Sequence, residues 1–222
     1  MIYVTGDMHG EAERFRDRAV KRLKKGDILI VCGDFGFLWD GCEAEKKRLR
    51  TIGRQRFTTL FIDGTHDNLP LIRSYPEETL FGGRVRRIDG NLLYAERGEV
   101  LELEGRRFFF LGGGASNDME ERVEGQTWWP EELPTGEELE HAARNLDRFG
   151  NEVDCIITHQ PSDRLRVFLQ GGGEQITPLG AFLTRVEQEC RFQRWYFGQL
   201  HQDRNIPPRH RLLFQDVASA GE

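Results

Sequence analysis

The stretch Thr5-Gly6-Asp7-Met8-His9-Gly10 sets a carboxylate and an imidazole two positions apart, between glycines. One carboxylate oxygen and one imidazole nitrogen make half of a four-ligand metal site. Glycine allows positive φ and a close approach of ligand to backbone. Asp-x-His alone is a weak signal, and a plain turn after a strand would explain it. The pattern returns, however, at Gly33-Asp34, at Asp63-Gly64-Thr65-His66-Asp67-Asn68, at Thr158-His159 and at Gly198-Gln199-Leu200-His201. Four of the six histidines follow apolar runs directly, which scattered histidines would not do. Two carboxylates with several imidazoles suit Mn²⁺, Fe or Zn²⁺ and are too rich in nitrogen for Mg²⁺ or Ca²⁺. His141 falls within a helical pattern and His210 near the end of the chain, so both are read as structural.

Such residues need strands to carry them. Ile2-Tyr3-Val4, residues 28–32 and residues 57–62 are short apolar runs that read as buried strands. Between them, Phe15, Ala19, Val20 and Leu23 have helical spacing, which predicts a helix over 11–23, and the charged stretch 43–53 predicts another. Strand and helix alternating with short links predict a largely parallel sheet. In such sheets ligands bind at the carboxyl ends of strands, where the motifs fall. Residues 91–104 and 106–111 read as antiparallel strands turning at Glu104-Gly105. Helices are expected over 136–149 and 178–190, and strands over 153–158, 195–198 and 211–214. The expected organisation is one α/β domain over 1–217, with residues 218–222 frayed.

The chain has 222 residues, 38% hydrophobic and 31% charged, which fits an ordered domain with a sizeable core. No apolar run approaches the ~20 residues that span a bilayer. The chain opens on a strand without a basic-then-apolar leader, and its four cysteines lack metal-type spacing; a reducing cytoplasm is the expected location. A net charge of −6 argues against broad nucleic-acid binding, and the basic clusters at 21–25 and 84–87 read as solvated helix end and solvated strand.

The order Gly6-Asp7-x-His9, Gly33-Asp34, Gly64-x-His66-Asp67, Thr158-His159, Gly198-x-x-His201 resembles the calcineurin-like metallophosphoesterases. The resemblance spans nearly the whole chain and is specific in order and spacing. It implies a four-layer α/β/β/α sandwich with two metals between the sheets, where a bridging hydroxide attacks phosphorus. Carried over, the first metal would be held by Asp7, His9, Asp34 and His201. Asp34 would bridge to a second metal ligated by His159. His66 would stand beside the scissile phosphate as general acid or electrostatic stabiliser, with Asp67 orienting it; a histidine near neutral pKa suits that role.

Two departures fall on the second metal. Thr65 stands where the family has Asn, and Gln199 where it has the first His of its last motif. A hydroxyl and an amide oxygen are poorer donors than imidazole for such ions. The family's second Asp of the Asp34 motif is replaced by Phe37, with Asp40 nearby. Two divalent ions against Asp7 and Asp34 would leave about +2 to meet a phosphate, and one ion about zero; a single ion also forfeits half of the two-metal clamp. The expectation is therefore a metal-dependent phosphoesterase for a phosphodiester or phosphomonoester, with one or two ions, Mn²⁺ first. The alternative is a catalytically silent metal-containing protein that binds a phosphorylated ligand or a protein partner. A small-molecule phosphate ester is the expected partner, and a nuclease role is disfavoured by the acidic chain.

Phe35, Phe37 and Trp39 offer an aromatic wall beside Asp34, or simply packing under the next helix. The long segment 112–130, with Ser116, Asn117, Asp118, Arg122, Trp128 and Trp129, is the expected lid or specificity element. Trp39, Asp118 and Arg122 are the substrate-binding candidates. Arg122 suits bidentate phosphate pairing, although a surface salt bridge is the plainer reading. Gly171-Gly172-Gly173 lacks the Lys and spacing of a P-loop and reads as a flexible loop.

Overall fold

The computed structural model describes residues 1–171 and 177–221. In chain order the elements are β1 (Ile2–Thr5), α1 (Arg18–Lys21), β2 (Ile28–Val31), α2 (Glu43–Gly53), β3 (Thr58–Phe61), α3 (Leu69–Arg73), β4 (Glu77–Leu80), β5 (Gly83–Asp89), β6 (Leu92–Ala95), β7 (Glu99–Leu103) and β8 (Arg106–Leu111). They continue with α4 (Gly136–Arg148), β9 (Cys155–Thr158), α5 (Asp163–Gln170), α6 (Pro178–Glu189), β10 (Arg194–Phe197), β11 (Arg204–Ile206), β12 (His210–Leu212) and β13 (Val217–Ser219).

The strands form two mixed sheets, β13-β1-β2-β3-β6-β5-β4 and β11-β12-β10-β9-β8-β7. β1, β2, β3 and β6 run parallel, as do β8, β9, β10 and β12. Both faces of the central strands are buried, which is why they read as unbroken apolar runs. Along β2, Ile28 and Ile30 face the second sheet, where they meet Phe108, Phe110, Ile157 and Tyr196. Leu29 and Val31 face the other way, onto Val20, Leu49, Ile52 and Ile72 of α1 to α3. On the far side of the second sheet, Phe109, Ile156, Trp195 and Phe197 meet Ala142, Leu146, Leu165, Leu183 and Val186 of α4 to α6. Helices, sheet, sheet and helices give the four-layer α/β/β/α sandwich.

The capping signals explain the later helices. Thr135 and Glu138 close a capping box at the start of α4. Thr177 caps α6, and Pro178 sits at its first turn.

Three expectations are corrected. Residues 11–23 form a 3-10 helix over Ala12–Arg16 and the single turn α1, not one helix. The Arg14 side chain is drawn under the first motif, where it donates to Asp7 O, Thr5 Oγ1 and Phe214 O; these tertiary bonds override the helical spacing. Residues 91–104 are not one strand, because the chain crosses between sheets there. Glu96 N–H still donates to Arg84 O of the first sheet, and Gly98 N–H already donates to Phe110 O of the second. The tail does not fray at Ala218: β13 pairs antiparallel with β1, Ala218 and Ala220 are buried between the sheets, and Arg106 Nη1 donates to Ala220 O. Of the glycine loop at 171–173, Gly171 ends α5 at φ 75°, and Gly172 and Gly173 lie outside the described residues.

Candidate metal centre

The parallel strands all end on one side, and the motif residues follow them there. β1 delivers Asp7 and His9, β2 Asp34, and β3 Thr65 and His66, while β9 and β10 of the other sheet deliver His159, Gln199 and His201. Four of these residues turn the chain into the left-handed region: His9 at φ 46°, Asp34 at 45°, Gln199 at 69° and His201 at 48°. Each such conformation costs about 1–3 kcal/mol and persists where surrounding bonds enforce it. Here Met8 N–H and His9 N–H both donate to Asp34 O, which laces the first two loops together.

One ligand atom from each of Asp7, His9, Asp34 and His201 lies within 4.8 Å of the others. His9 Nε2 and His201 Nε2 are 2.9 Å apart, and His201 Nε2 is 3.3 Å from Asp7 Oδ2. Both carboxylates are buried. Two buried carboxylates facing two imidazole nitrogens at this spacing fit a divalent cation.

His159 stands beside the cluster and is fully buried. Its Nδ1 is 3.0 Å from Cys32 O, so that nitrogen carries the proton donated to the carbonyl. Its Nε2 is buried without a hydrogen-bond partner, 3.4 Å from Asp34 Oδ1. A histidine held through one nitrogen, with the other bare beside a carboxylate, is the arrangement of a metal ligand with its supporting carbonyl. Gly114 passes directly over this corner: a Cβ there would meet Gln199 Nε2 at 2.9 Å, Thr65 Cγ2 at 3.1 Å and His159 Cδ2 at 3.2 Å. Gln199, Thr65 and His159 are thus neighbours at this corner. The Gln199 side-chain amide donates to Ala115 O and its backbone N–H to Asp7, while Thr65 Oγ1 is 3.5 Å from Asp34 Oδ1.

The protonation pattern follows the charges. Burial opposes ionisation of Asp34, but the charge of His159 and the hydrogen bond from His66 hold it below the usual carboxylate range. Burial likewise opposes protonation of His159, and Asp34 and then Asp7 raise its pKa nonetheless. His201 is raised chiefly by its bond to Asp7, whereas burial lowers His9.

His66 lies on the rim. Its Nδ1 is 2.8 Å from Asp34 Oδ2 and its backbone N–H donates to Asp34 Oδ1. Asp34, not the expected Asp67, therefore orients the ring. Asp67 is buried, and its two oxygens accept the backbone N–H groups of Phe35, Gly36 and Gly64, pinning the loops that carry Asp34 and Thr65. Burial, with the charge of Asp34 next, pushes the Asp67 carboxyl up to about 7.

The other candidates divide. Phe35 and Phe37 are buried on the helix side of the first sheet, with Phe35 stacked on Phe61 at 4.2 Å, so they pack the core rather than wall the site. Asp40 accepts from Cys42 N–H. Trp39 packs on Trp129 of the long segment at 5.4 Å and anchors its base. Arg122 is no mere surface residue: its side chain is 7% exposed, Nη1 donates to Thr65 O and Nη2 contacts His66 Nε2. Asp118 Oδ2 is 2.8 Å from Arg122 Nη2 and 3.7 Å from His66 Nε2. Sequence reading missed Arg14, beneath Asp7, and Gln160, whose Oε1 accepts from Ala115 N–H and holds the long segment over His159. The position of Gln160 directly after His159 was the one available signal.

Fold and site together define an α/β/β/α metal-binding protein whose cluster gathers where parallel strands of both sheets end. The sequence model of the calcineurin-like phosphoesterase family matches residues 1–202, and the chain belongs to that family. No curated protein matches it.

Proposed function

We propose that this chain hydrolyses a small-molecule phosphate ester, a diester or a monoester. The observation that carries the reading is the convergence of Asp7, His9, Asp34 and His201 within 4.8 Å. Those four would hold one divalent ion tightly, Mn²⁺ before Fe or Zn²⁺. Asp34, His159, Thr65 and Gln199 would hold a second more weakly, for which the bare Nε2 of His159 is the support. Bound ions supply Lewis-acid polarisation of phosphoryl oxygens and lower the pKa of water.

The chain's own groups supply the rest. His66 is fixed through Nδ1 by Asp34, and its Nε2, which meets Arg122 Nη2, would protonate the leaving oxygen once Arg122 turns to the phosphoryl group. Asp67 acts at one remove, by keeping the Asp34 loop in place. Arg122 offers a guanidinium to the phosphoryl group, and its charge matters more if only one ion offsets Asp7 and Asp34. Trp39, packed on Trp129, would steady the long segment that carries Asp118 and Arg122. The net charge of −6 fits a small anionic ester bound at a local positive centre better than it fits a nucleic acid. Four free cysteines accord with a reducing cytoplasm. Among the described residues no helix is long and apolar enough to cross a membrane.

A second reading, a silent phosphate-binding protein, draws on Gln199, whose amide is engaged with Ala115 O. One experiment separates the two. Metal content is measured after Mn²⁺ reconstitution, and turnover of bis(p-nitrophenyl) phosphate and p-nitrophenyl phosphate is compared with that of His66→Ala. We expect one ion retained firmly, a second held loosely, and turnover falling about 10²–10⁴-fold in the variant at unchanged metal content. A chain that retains no ion, or that turns over neither ester, overturns the hydrolase reading; turnover indifferent to His66 overturns the acid role given to that residue.

A further inference from the structure

We propose that Asp118 is a built-in surrogate for the phosphoryl group, a carboxylate latch that a substrate's anionic oxygen must displace from Arg122. This rests on the reading of the pocket as a phosphate site, and it gives Asp118 a role opposite to that of a substrate contact.

The argument begins with an unused option. Asp118 precedes a short 3-10 helix, Met119–Glu121, in the position where an aspartate ordinarily caps backbone N–H groups, and its side chain makes no such cap. Its carboxylate is aimed the other way. Oδ2 stands 2.8 Å from Arg122 Nη2, the same nitrogen that meets His66 Nε2, and is itself 3.7 Å from that ring nitrogen. The same His66 ring meets Asp34 Oδ2 through Nδ1. The ring therefore joins a carboxylate of the cluster to the guanidinium that Asp118 neutralises. A phosphoryl oxygen that is to pair with Arg122 Nη2 must enter the place that Asp118 Oδ2 occupies.

The two ends of the latch differ in freedom. The Arg122 side chain is 7% exposed and is tied to Thr65 O and Thr127 O. The Asp118 side chain is 46% exposed and has open water beside it. Opening the pair to solvent alone would strand the Arg122 charge, so Asp118 leaves readily only when another anion takes its place. A phosphoryl group offers the same acceptor geometry with more negative charge and more oxygens, so it competes well for a guanidinium that cannot follow Asp118 outward. With no anion bound, Asp118 neutralises Arg122, which would otherwise be a largely buried, unpaired cation. The latch also favours ligands that carry a strong anionic oxygen over neutral ones of similar shape.

The test is inorganic phosphate binding by titration calorimetry, on both metal-free and Mn²⁺-loaded protein. It compares the natural chain with Asp118→Asn, Asp118→Glu, Arg122→Gln and the Asp118→Asn/Arg122→Gln double variant. Removing the competing charge should tighten phosphate about tenfold in Asp118→Asn, roughly 1.4 kcal/mol. Asp118→Glu should restore weaker binding. Arg122→Gln should weaken binding, and adding Asp118→Asn to it should bring no gain, because the latch has lost its seat. Asp118→Glu should melt with the natural chain, and Asp118→Asn somewhat below it, because Arg122 then lacks its counter-charge. Phosphate binding that is weakened or unchanged in Asp118→Asn, with Arg122 intact, overturns the latch and leaves the hydrolase reading standing. Phosphate that binds neither the natural chain nor Asp118→Asn overturns the latch and the phosphate site together. Phosphate binding needs no turnover, so an inactive chain still decides the question.

Discussion

Gly64 shows how closely the ligands are fitted. A Cβ on this residue would lie 2.1 Å from Asp34 Oδ1, and one on Gly198 would lie 2.0 Å from Asp7 Oδ1. The glycines beside the motifs are therefore volume constraints on carboxylates as well as turn formers. Gly64→Ala must move the Asp34 carboxylate, which belongs to the candidate metal cluster and binds His66. Supporting groups of this kind usually alter metal affinity by 10–100-fold. We expect a fall of that size in Mn²⁺ affinity by titration calorimetry, with a far-ultraviolet spectrum like that of the natural chain. Unchanged affinity would mean that Asp34 has room to move. At this scale the sequence was highly legible, because Asp7, His9, Asp34, His159 and His201 each stand at a strand end beside a glycine or directly after apolar residues. The task of Asp67 was not legible: its partners, the N–H groups of Phe35, Gly36 and Gly64, belong to backbone, which sequence spacing does not reveal.

Between elements, one buried ionic cluster ties the sheet carrying Asp34 to the helix behind the other sheet. Asp63, just after β3, accepts from Arg97 and from Tyr94 Oη. Arg97 Nη1 also donates to Glu138 of α4, and Nη2 to the carbonyls of Glu131 and Glu132, just past the long segment 112–130. Asp63 and Arg97 are both 1% exposed, so each is viable only with the other present. Burial alone would raise the pKa of Glu138, but the charge of Arg97, then the Thr135 N–H and Arg73, bring it below its ordinary 4.5. A carboxylate whose folded pKa is depressed contributes stability above its unfolded pKa and loses it as pH falls through the folded value. Glu138→Gln keeps a capping-box side chain but removes the charge facing two arginines. Urea unfolding at pH 7 should show it less stable by about 2 kcal/mol. The gap should close progressively as pH drops below 4.5; a gap that is constant with pH would mean that the charge is not its source. Nothing in the sequence announced this cluster. Its members lie far apart along the chain, and Arg97 sits at the crossover where an unbroken strand was expected. Local pattern found β1, β2, β3, α4 and α6 because their spacing is set by their own burial. It failed at residues 11–23 and 91–104, where Arg14 and the passage between sheets decide the backbone.

Across the whole molecule, the metal centre is also the seam between the two sheets. Asp7, His9 and Asp34 come from the first sheet, and His159 and His201 from the second; the sheets also meet through an apolar core and through bonds such as Arg84 to Glu99. An ion held by Asp7, His9, Asp34 and His201 cross-links the sheets in the folded state and has no such site in the unfolded chain. Its binding energy then adds to stability by mass action, about 2.7 kcal/mol at a free concentration of 100 times Kd. For a chain of 222 residues that corresponds to a rise in Tm of roughly 5–10 °C. His201→Ala tests the seam most cleanly, because this side chain is 49% exposed and its loss should disturb the metal-free fold little. Scanning calorimetry with a chelator, and then with increasing Mn²⁺, should show nearly equal Tm values for the two metal-free proteins. The Mn²⁺-dependent rise should be large only in the natural chain. An equal rise in His201→Ala would place the ion within the first sheet alone, and the second sheet's part in the centre would then be confined to His159.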